Sequence, residues 1–287
     1  MTAAVFARPL LATEHSEFDV GAERVALALA ERSQLTLATV LPMVSNAEFD
    51  SAAPELAARA DALVADKVRH LQALAVQQGV QLAVQVRRGP ETYREIVDEA
   101  AAMQADLIVV RRRGRPGLLA NLLVGEMVSK VVAHAPCSVL VNAREARLWC
   151  RRVLVCVDPA VDPAALQRGV VALAARVASA HALPLSAVCV VEARGGDSEA
   201  SSALAAALAH ARALGVAADG EVLNGKPHEQ ILDAVRRRGA DLIVLGRHGS
   251  TRLARAWVGS VAQKVVGLAE CPVLVCINPL STEDADS

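Results

Sequence analysis

The sequence predicts an α/β protein made of two tandem, doubly wound domains, each with a five-stranded parallel sheet. Three observations predict this class. The chain has 287 residues, which suits two domains of ~100–200 residues each. It contains an internal repeat, and its apolar runs alternate with segments of helical period. Runs that are apolar throughout indicate strands buried on both faces, and such strands occur in parallel sheets covered by helices.

The repeat defines the domain organisation. Ala-Asp-Leu-Ile-Val-Val at residues 105–110 recurs as Ala-Asp-Leu-Ile-Val-Leu at 240–245, and a loop rich in Arg and Gly follows each copy. Each loop is followed by a helical run, at 128–133 in the first copy and 261–268 in the second. A short strand that begins with Cys comes next, at 137–141 and 271–275. We therefore predict two copies of one domain, at residues 1–148 and 149–287.

The second copy shows the individual elements most clearly. Its predicted strands, in chain order, are 153–157, 185–191, 216–222, 241–245 and 273–277. Its predicted helices are 163–180, 201–214, 227–238 and 259–269. Pro227 suits a first helical turn, where its missing N–H would have no partner, and Gly239 suits a helix end. Strands and helices that alternate through short loops are typical of a doubly wound domain.

Composition argues against several classes of partner. The formal net charge is -1, so strong electrostatic binding of nucleic acid is not expected. Aromatic residues make up only 2%, too few for a surface on which bases stack. A bilayer span needs ~20 consecutive apolar residues, and the apolar runs here are much shorter. The six cysteines show no metal-binding or redox spacing. We expect a cytoplasmic protein with no nucleic-acid or membrane partner.

The most informative segment for chemistry is a glycine-rich loop in the second half. Gly246-Arg247-His248-Gly249 follows a predicted strand, and Gly259-Ser260 opens a helix nine residues later. Glycines let backbone N–H groups close around an anion, and a helix N-terminus adds partial positive charge. The spacing matches neither the Walker loop nor the dinucleotide fingerprint. The alternative interpretation is that these glycines are ordinary turn and cap residues.

The surrounding motifs resemble the universal stress protein family. These are the strand and loop at 241–249, Gly-Ser-Val at 259–261 and Cys-Pro-Val-Leu-Val at 271–275. The family signature G-x2-G-x9-G-(S/T) is complete in the second half, and the first half resembles the family more loosely. The resemblance implies a Rossmann-like fold of the adenine nucleotide alpha-hydrolase type, ATP as the ligand, and a stress-response or regulatory role.

The resemblance also implies which residues bind the nucleotide. An acidic residue after the first strand lies in the family pocket, and the second strand meets adenine through its backbone. The implied set is Asp158, Val190, Gly246, Arg247, His248, Gly249, Gly259, Ser260 and Val261. Asp158 and Ser260 are the candidate ligands if Mg²⁺ accompanies the nucleotide. Asp158 also has a structural alternative, as the cap of the helix after Pro159, which stands where the family often has Gly. Glu270 replaces another common family residue, a proline.

The first half departs from the signature. Arg111 stands in place of Gly246, Glu126 in place of Ser260, and Glu14 lies near the position of Asp158. A carboxylate at that helix N-terminus repels a phosphate, so we predict that the first half does not bind ATP in the family manner. The run at 111–113, with Arg115, has two interpretations. It is either an anion-binding or partner-binding patch, or a solvated loop partly neutralised by Glu126.

Three functional hypotheses follow. The favoured one is an ATP-binding regulatory protein with one site in the second half and an unidentified protein partner. The second is a slow ATP hydrolase, although the sequence shows no nucleophile–base pair and His248 is the only histidine in the proposed pocket. The third is an interaction scaffold without a nucleotide. Because family members usually pair through their last strands, the two halves are expected to form an intramolecular pseudo-dimer, or the chain a further homodimer.

Overall fold

The computed structural model describes residues 4–14, 19–45, 51, 54–112, 125–161, 169–192, 197–247 and 258–277. The described strands are β1 (Pro9–Ala12), β2 (Leu37–Val44), β3 (Leu82–Gly89), β4 (Leu107–Arg111), β5 (Ser138–Asn142), β6 (Val153–Val157), β7 (Leu185–Val191), β8 (Ala218–Asn224), β9 (Leu242–Gly246) and β10 (Val273–Cys276). The described helices are α1 (Val20–Ser33), α2 (Pro54–Gln77), α3 (Thr92–Ala102), α4 (Glu126–His134), α5 (Val170–Ala180), α6 (Asp197–Ala213), α7 (Pro227–Arg238) and α8 (Ser260–Leu268).

All these strands form one sheet, in the order β3-β2-β1-β4-β5-β10-β9-β6-β7-β8. Every strand pair within a half is parallel, and each half repeats the strand order of a doubly wound domain. The predicted fold class is therefore confirmed. The halves meet where β5 and β10 run antiparallel, with Leu140 opposite Leu274.

Alternating residues of the central strands divide the core into two layers. Leu107 and Val109 of β4 belong to a cluster that includes α1 and α5, whereas Ile108 and Val110 belong to a cluster that includes α4 and α8. Successive side chains of a strand point to opposite faces, so the two clusters lie on opposite sides of the sheet. Each cluster contains residues of both halves, and the sheet is covered by helices on both faces as the unbroken apolar runs predicted.

Several predicted boundaries are wrong, mostly by one or two residues. The third strand of the second half runs over Ala218–Asn224 rather than 216–222, because Val216 closes the turn after α6 by donating its N–H to Ala211. The register with β7, in which Leu185 lies opposite Ala218, sets the start of this edge strand. Helix α6 begins at Asp197 rather than at 201. The predicted helix 163–180 is described from Val170, and 162–168 lie outside the described residues.

The aspartate of the repeated motif has a structural role in both halves. Asp241 accepts hydrogen bonds from the backbone N–H groups of residues 150–152, over 2.8–3.2 Å. Asp106 accepts the N–H groups of Ala7 and Arg8 in the equivalent place, at 2.6 and 3.0 Å. Each aspartate therefore attaches the start of the fourth strand of its half to the chain entering the first strand.

Candidate functional site

A cleft lies at the C-terminal ends of β6, β7 and β9, where the strand order of the second half reverses. Its volume is about 450 Å³. The residues that line it are Cys156, Val157, Asp158, Pro159, Val188, Val190, Glu192, Pro227, Ile231, Leu245, Gly246, Arg247, Gly259, Ser260, Val261 and Ala262. Seven of the nine implied nucleotide-binding residues are among them, whereas His248 and Gly249 lie outside the described residues. Doubly wound sheets bind ligands at this place.

Two strand ends bring Asp158 and Val190 to the cleft. Asp158 directly follows β6, and its Oδ1 accepts the N–H of Ala160 at 2.9 Å, so the carboxylate is held in a tight turn. Strand β7 pairs with β6 as far as Cys189, and with β8 two residues further, as far as Val191. Val190 therefore lies on the part of β7 that extends beyond β6, at the edge of the cleft.

The N-terminus of α8 forms another wall. Gly259 is the N-cap residue and donates its N–H to the carbonyl of Arg247 at 2.9 Å, which joins the two described ends of the glycine loop. Ser260 begins the helix and is exposed. The first N–H groups of a helix have no partner within the helix, and the macrodipole makes this end electropositive. This wall therefore suits an anionic group.

The guanidinium of Arg247 contacts the first half of the chain. Its Nη1 donates to the carbonyl of Ala133, in the last turn of α4, at 2.9 Å. Burial lowers the pKa of this guanidinium. Sequence reasoning grouped Arg247 with the ligand-binding residues and did not find this contact, because no local pattern marks a bond to a residue 114 positions away.

The cleft also contains residues that sequence reasoning missed. Glu192 lies two positions past Val190 and adds a second carboxylate to that of Asp158. Pro227 and Ile231 of α7 add apolar surface; Pro227 was predicted only as a helix start. Cys156 also lines the cleft, and burial raises the pKa of its thiol, which keeps it protonated at neutral pH. Cys156 belongs to β6, Glu192 directly follows β7, and Pro227 and Ile231 belong to α7; β6 and β7 are neighbours in the sheet.

The first half has a smaller cleft, of about 270 Å³, whose lining includes Arg111, Gly125 and Glu126. Strand registers show how it corresponds to the larger cleft. Pro9 lies opposite Leu107 as Val153 lies opposite Leu242, which makes Glu14 the positional equivalent of Asp158. Arg111 ends β4 as Gly246 ends β9.

Arg111 and Glu14 form an ion pair in this cleft. Arg111 Nη2 lies 2.6 Å from Glu14 Oε2, and Arg111 Nε contacts Asp19 Oδ1. The side chains of Arg111 and Asp19 are only 5% and 1% exposed. The network continues through Glu23, which accepts from Thr13 at 2.6 Å and pairs with Lys67 at 2.5 Å. Burial raises the pKa of Asp19, and Arg111 opposes that shift. An internal ion pair thus joins the two positions that are Gly246 and Asp158 in the other half.

This arrangement corrects both interpretations of the arginine run at Arg111. Arg111 is a buried counter-ion of Glu14 and Asp19 rather than a rim residue or a solvated one. Glu126 does not neutralise it: the Glu126 side chain is 82% exposed and pairs with Lys130 at 3.0 Å. Arg112 contacts the carbonyl of Ala269 in the opposite half, and Arg113 and Arg115 lie outside the described residues.

Within the described residues, no group of three or more His, Cys, Asp or Glu side chains is arranged to hold a metal ion. In the same residues, no helix combines the length and apolar character that crossing a bilayer requires.

Comparison with known proteins identifies the family. The family model described as the universal stress protein family matches residues 7–142 and 150–276. A universal stress protein of Methanocaldococcus jannaschii is 45% identical over 65 residues, which cover 23% of this chain and 38% of that protein. The chain therefore spans well under half the length of this curated relative.

One solved structure shows the same fold over nearly the whole chain. A universal stress protein from Archaeoglobus fulgidus DSM 4304 matches 95% of this chain and 96% of its own, with a TM-score of 0.71 and 18% identity. Another structure from Archaeoglobus fulgidus, a universal stress protein in complex with dAMP, covers 44% of this chain and 98% of its own, with a TM-score of 0.37 and 25% identity. With two family matches that together span most of its length, the chain belongs to the universal stress protein family and contains two domains of that family in tandem.

Proposed function

We propose that this protein binds one adenine nucleotide, ATP, in the second-half cleft, and that occupancy of the cleft regulates a protein partner in a stress response. One observation carries the proposal: both described ends of the complete glycine signature lie in the same cleft as Asp158 and Val190. These residues come from separate strand ends, so their convergence is independent of the signature's spacing. The cleft volume of about 450 Å³ lies in the range of ~300–1,000 Å³ that is usual for ligand pockets.

The lining suggests how each part of a nucleotide is held. Val188, Ile231 and Leu245 offer an apolar wall to the base. The carboxylate of Asp158 accepts from an amino or hydroxyl group, and the N-terminus of α8 faces the phosphates. Mg²⁺ would come with the phosphates, with the Ser260 hydroxyl and Asp158 as protein ligands, because Mg²⁺ usually needs only one or two protein oxygens beside a nucleotide.

We also propose that the chain is an intramolecular pseudo-dimer of two domains, with the boundary between residues 148 and 149. The antiparallel contact of β5 and β10 supports this proposal, because it pairs the last strand of each half with that of the other. The first half, whose cleft contains the Arg111–Glu14 ion pair, is proposed not to bind ATP. The proposed location is the cytoplasm.

Nucleotide content and thermal stability test the proposed site. The purified full chain is denatured and the supernatant is analysed by ion-exchange chromatography. The melting temperature is then measured with and without millimolar ATP, with and without Mg²⁺. We expect about one adenylate per chain, or stabilisation of about 2.7 kcal/mol at an ATP concentration of 100 times Kd.

Matched variants locate the site. Gly259→Glu places a carboxylate at the N-cap of α8 and should abolish both signals. Gly125→Glu makes the same change at the N-cap of α4 and should leave both signals as in the wild type. Absence of bound adenylate together with an unchanged melting temperature in ATP would refute the proposal. Multiple turnover that is lost in Ser260→Ala would favour the hydrolase hypothesis instead.

A further inference from the structure

Two arginines at equivalent positions of the repeat cross the seam between the halves in opposite directions. Arg112 directly follows β4 and Arg247 directly follows β9. Each backbone N–H is donated to the last strand of the same half, from Arg112 to Asn142 O at 2.7 Å and from Arg247 to Cys276 O at 3.2 Å. The two side chains thus start from matching places on either side of the β5–β10 contact.

Both guanidinium groups end at a helix of the opposite half. Arg112 Nη1 lies 3.2 Å from the carbonyl oxygen of Val266, 2.5 Å from that of Gly267 and 3.0 Å from that of Ala269. Arg247 makes the reciprocal contact, with the carbonyl of Ala133 in α4. The last carbonyls of a helix have no partner within the helix, and a cation there interacts favourably with the macrodipole. Each arginine therefore caps the C-terminus of a helix in the other half.

The capping contact of Arg112 is partly buried. Burial lowers the pKa of its guanidinium, and the carboxylate of Glu270 acts in the opposite direction. The group stays charged, because an arginine side chain is not deprotonated in proteins. Removing a charged donor from half-buried carbonyl groups leaves those carbonyls without their partner, which is costlier than losing an exposed contact.

Helix α8 connects this contact to the cleft. It is 9 residues long, or about 13 Å at 1.5 Å per residue, with Ser260 in the cleft at one end and the Arg112 contact at the other. The carbonyl of Arg247, in the glycine loop, accepts the N–H of Gly259 at the N-terminus of the same helix. The two ends of this cleft wall therefore contact two arginines, Arg112 of the first half and Arg247, whose side chain is hydrogen-bonded to the first half.

We propose that Arg112 is a positioning residue for the nucleotide site of the second half, although it belongs to the first half and lies outside the cleft. Arg112 holds the far end of α8, and Arg247 holds the start of the glycine loop against α4. The first half serves as the platform on which the second-half site is completed. The identity of the ligand, ATP, rests on the proposed function, whereas the positioning role rests only on the contacts of Arg112 and Arg247.

The test uses the full chain in four forms: wild type, Arg112→Met, Arg112→Lys and Arg24→Met. Arg24 is a matched control, because it is also half-buried and donates its Nη1 to a carbonyl, that of Ala146, at 3.0 Å. Two quantities are measured well below the melting temperature. One is the Kd of ATP with Mg²⁺ by calorimetry. The other is the amide hydrogen exchange of Gly259 and Gln263 without nucleotide.

We expect Arg112→Met to weaken ATP binding about tenfold, which corresponds to about 1.4 kcal/mol. Arg112→Lys should recover part of that loss, because an ammonium also donates to carbonyls but as a point charge. Arg24→Met should stay within about twofold of the wild type. Exchange of the Gly259 and Gln263 amides should be faster in Arg112→Met than in Arg24→Met, because the first turn of α8 is held less firmly.

The two measurements separate two kinds of failure. If the wild type binds no ATP, the proposed function is refuted, and the exchange data alone decide the positioning role. Unchanged exchange at Gly259 and Gln263 in Arg112→Met would overturn that role. So would an ATP affinity of Arg112→Met equal to that of Arg24→Met, since the contact would then contribute only to general stability.

Discussion

Replacing Arg111 by Met should destabilise the protein strongly, because it removes the counter-ion of two largely buried carboxylates. Glu14 and Asp19 are 17% and 1% exposed in their side chains, and both contact the Arg111 guanidinium. Methionine keeps an unbranched apolar side chain, so the main change is the loss of charge and hydrogen bonds. Breaking a buried pair by removing one partner typically costs ~3–5 kcal/mol, since a buried charge loses its counter-ion.

The destabilisation should also depend on pH in a direction that the ion pair determines. Burial already raises the pKa of Asp19 in the folded state, and Arg111 limits that shift. Without Arg111 the pKa of Asp19 rises further, so the folded variant holds a proton at a pH where the unfolded chain has lost it. Stability of the variant is therefore lost as the pH rises, and its deficit relative to the wild type should be smaller at pH 5 than at pH 7.

Urea unfolding followed by tryptophan fluorescence measures both effects, since Trp149 is fully buried in the core. The matched control is Arg69→Met, which breaks an exposed ion pair with Asp66 and should cost under ~1 kcal/mol. A loss of about 4 kcal/mol should lower the melting temperature by about 10 °C. The reasoning is refuted if Arg111→Met costs no more than Arg69→Met, or if its deficit does not shrink between pH 7 and pH 5.

Four further substitutions test the scaffold by the same urea unfolding measurement. Asp241→Ala leaves three backbone N–H groups without their acceptor and should lower the free energy of unfolding by about 2 kcal/mol. Asp106→Ala affects only two such groups and should cost less. Equal costs of the two substitutions would contradict this reasoning. Leu274→Ala opens a cavity at the buried contact between the halves and should cost ~2–5 kcal/mol. Burial lowers the pKa of His181 to about 4, below its ordinary value of 6.5, so wild-type stability should fall as the pH drops through that window. His181→Gln should remove that part of the pH dependence, and an unchanged profile would contradict it.

Much of the fold could be predicted from local sequence patterns. Strands buried on both faces are apolar throughout, and the repeat at 105–110 and 240–245 marks the same strand in each half. The intact glycine loop of the second half, and its loss at Arg111 and Glu126, could be read from residue type and spacing. These features were predictable because the spacing of apolar residues, and the presence of a glycine or a charged residue at a given position, restrict the local structure without reference to distant residues.

The boundaries of edge elements were less predictable. Strand β8 has no fully buried position, and its start depends on the register with β7 rather than on its own composition. The cleft residues Glu192 and Ile231 were also missed, because they reach the site only when β7 and α7 pack beside β6.

The sequence by itself determined that this protein has two α/β domains and which of them keeps the nucleotide signature. Only the tertiary structure decided what its arginines do. Arg111 meets a glutamate 97 residues away, and Arg112 meets a carbonyl 155 residues away. A charged side chain beside a loop can be satisfied by solvent, a ligand or a distant partner, and nothing local distinguishes these. The choice depends on which groups the folded sheet brings within hydrogen-bonding distance.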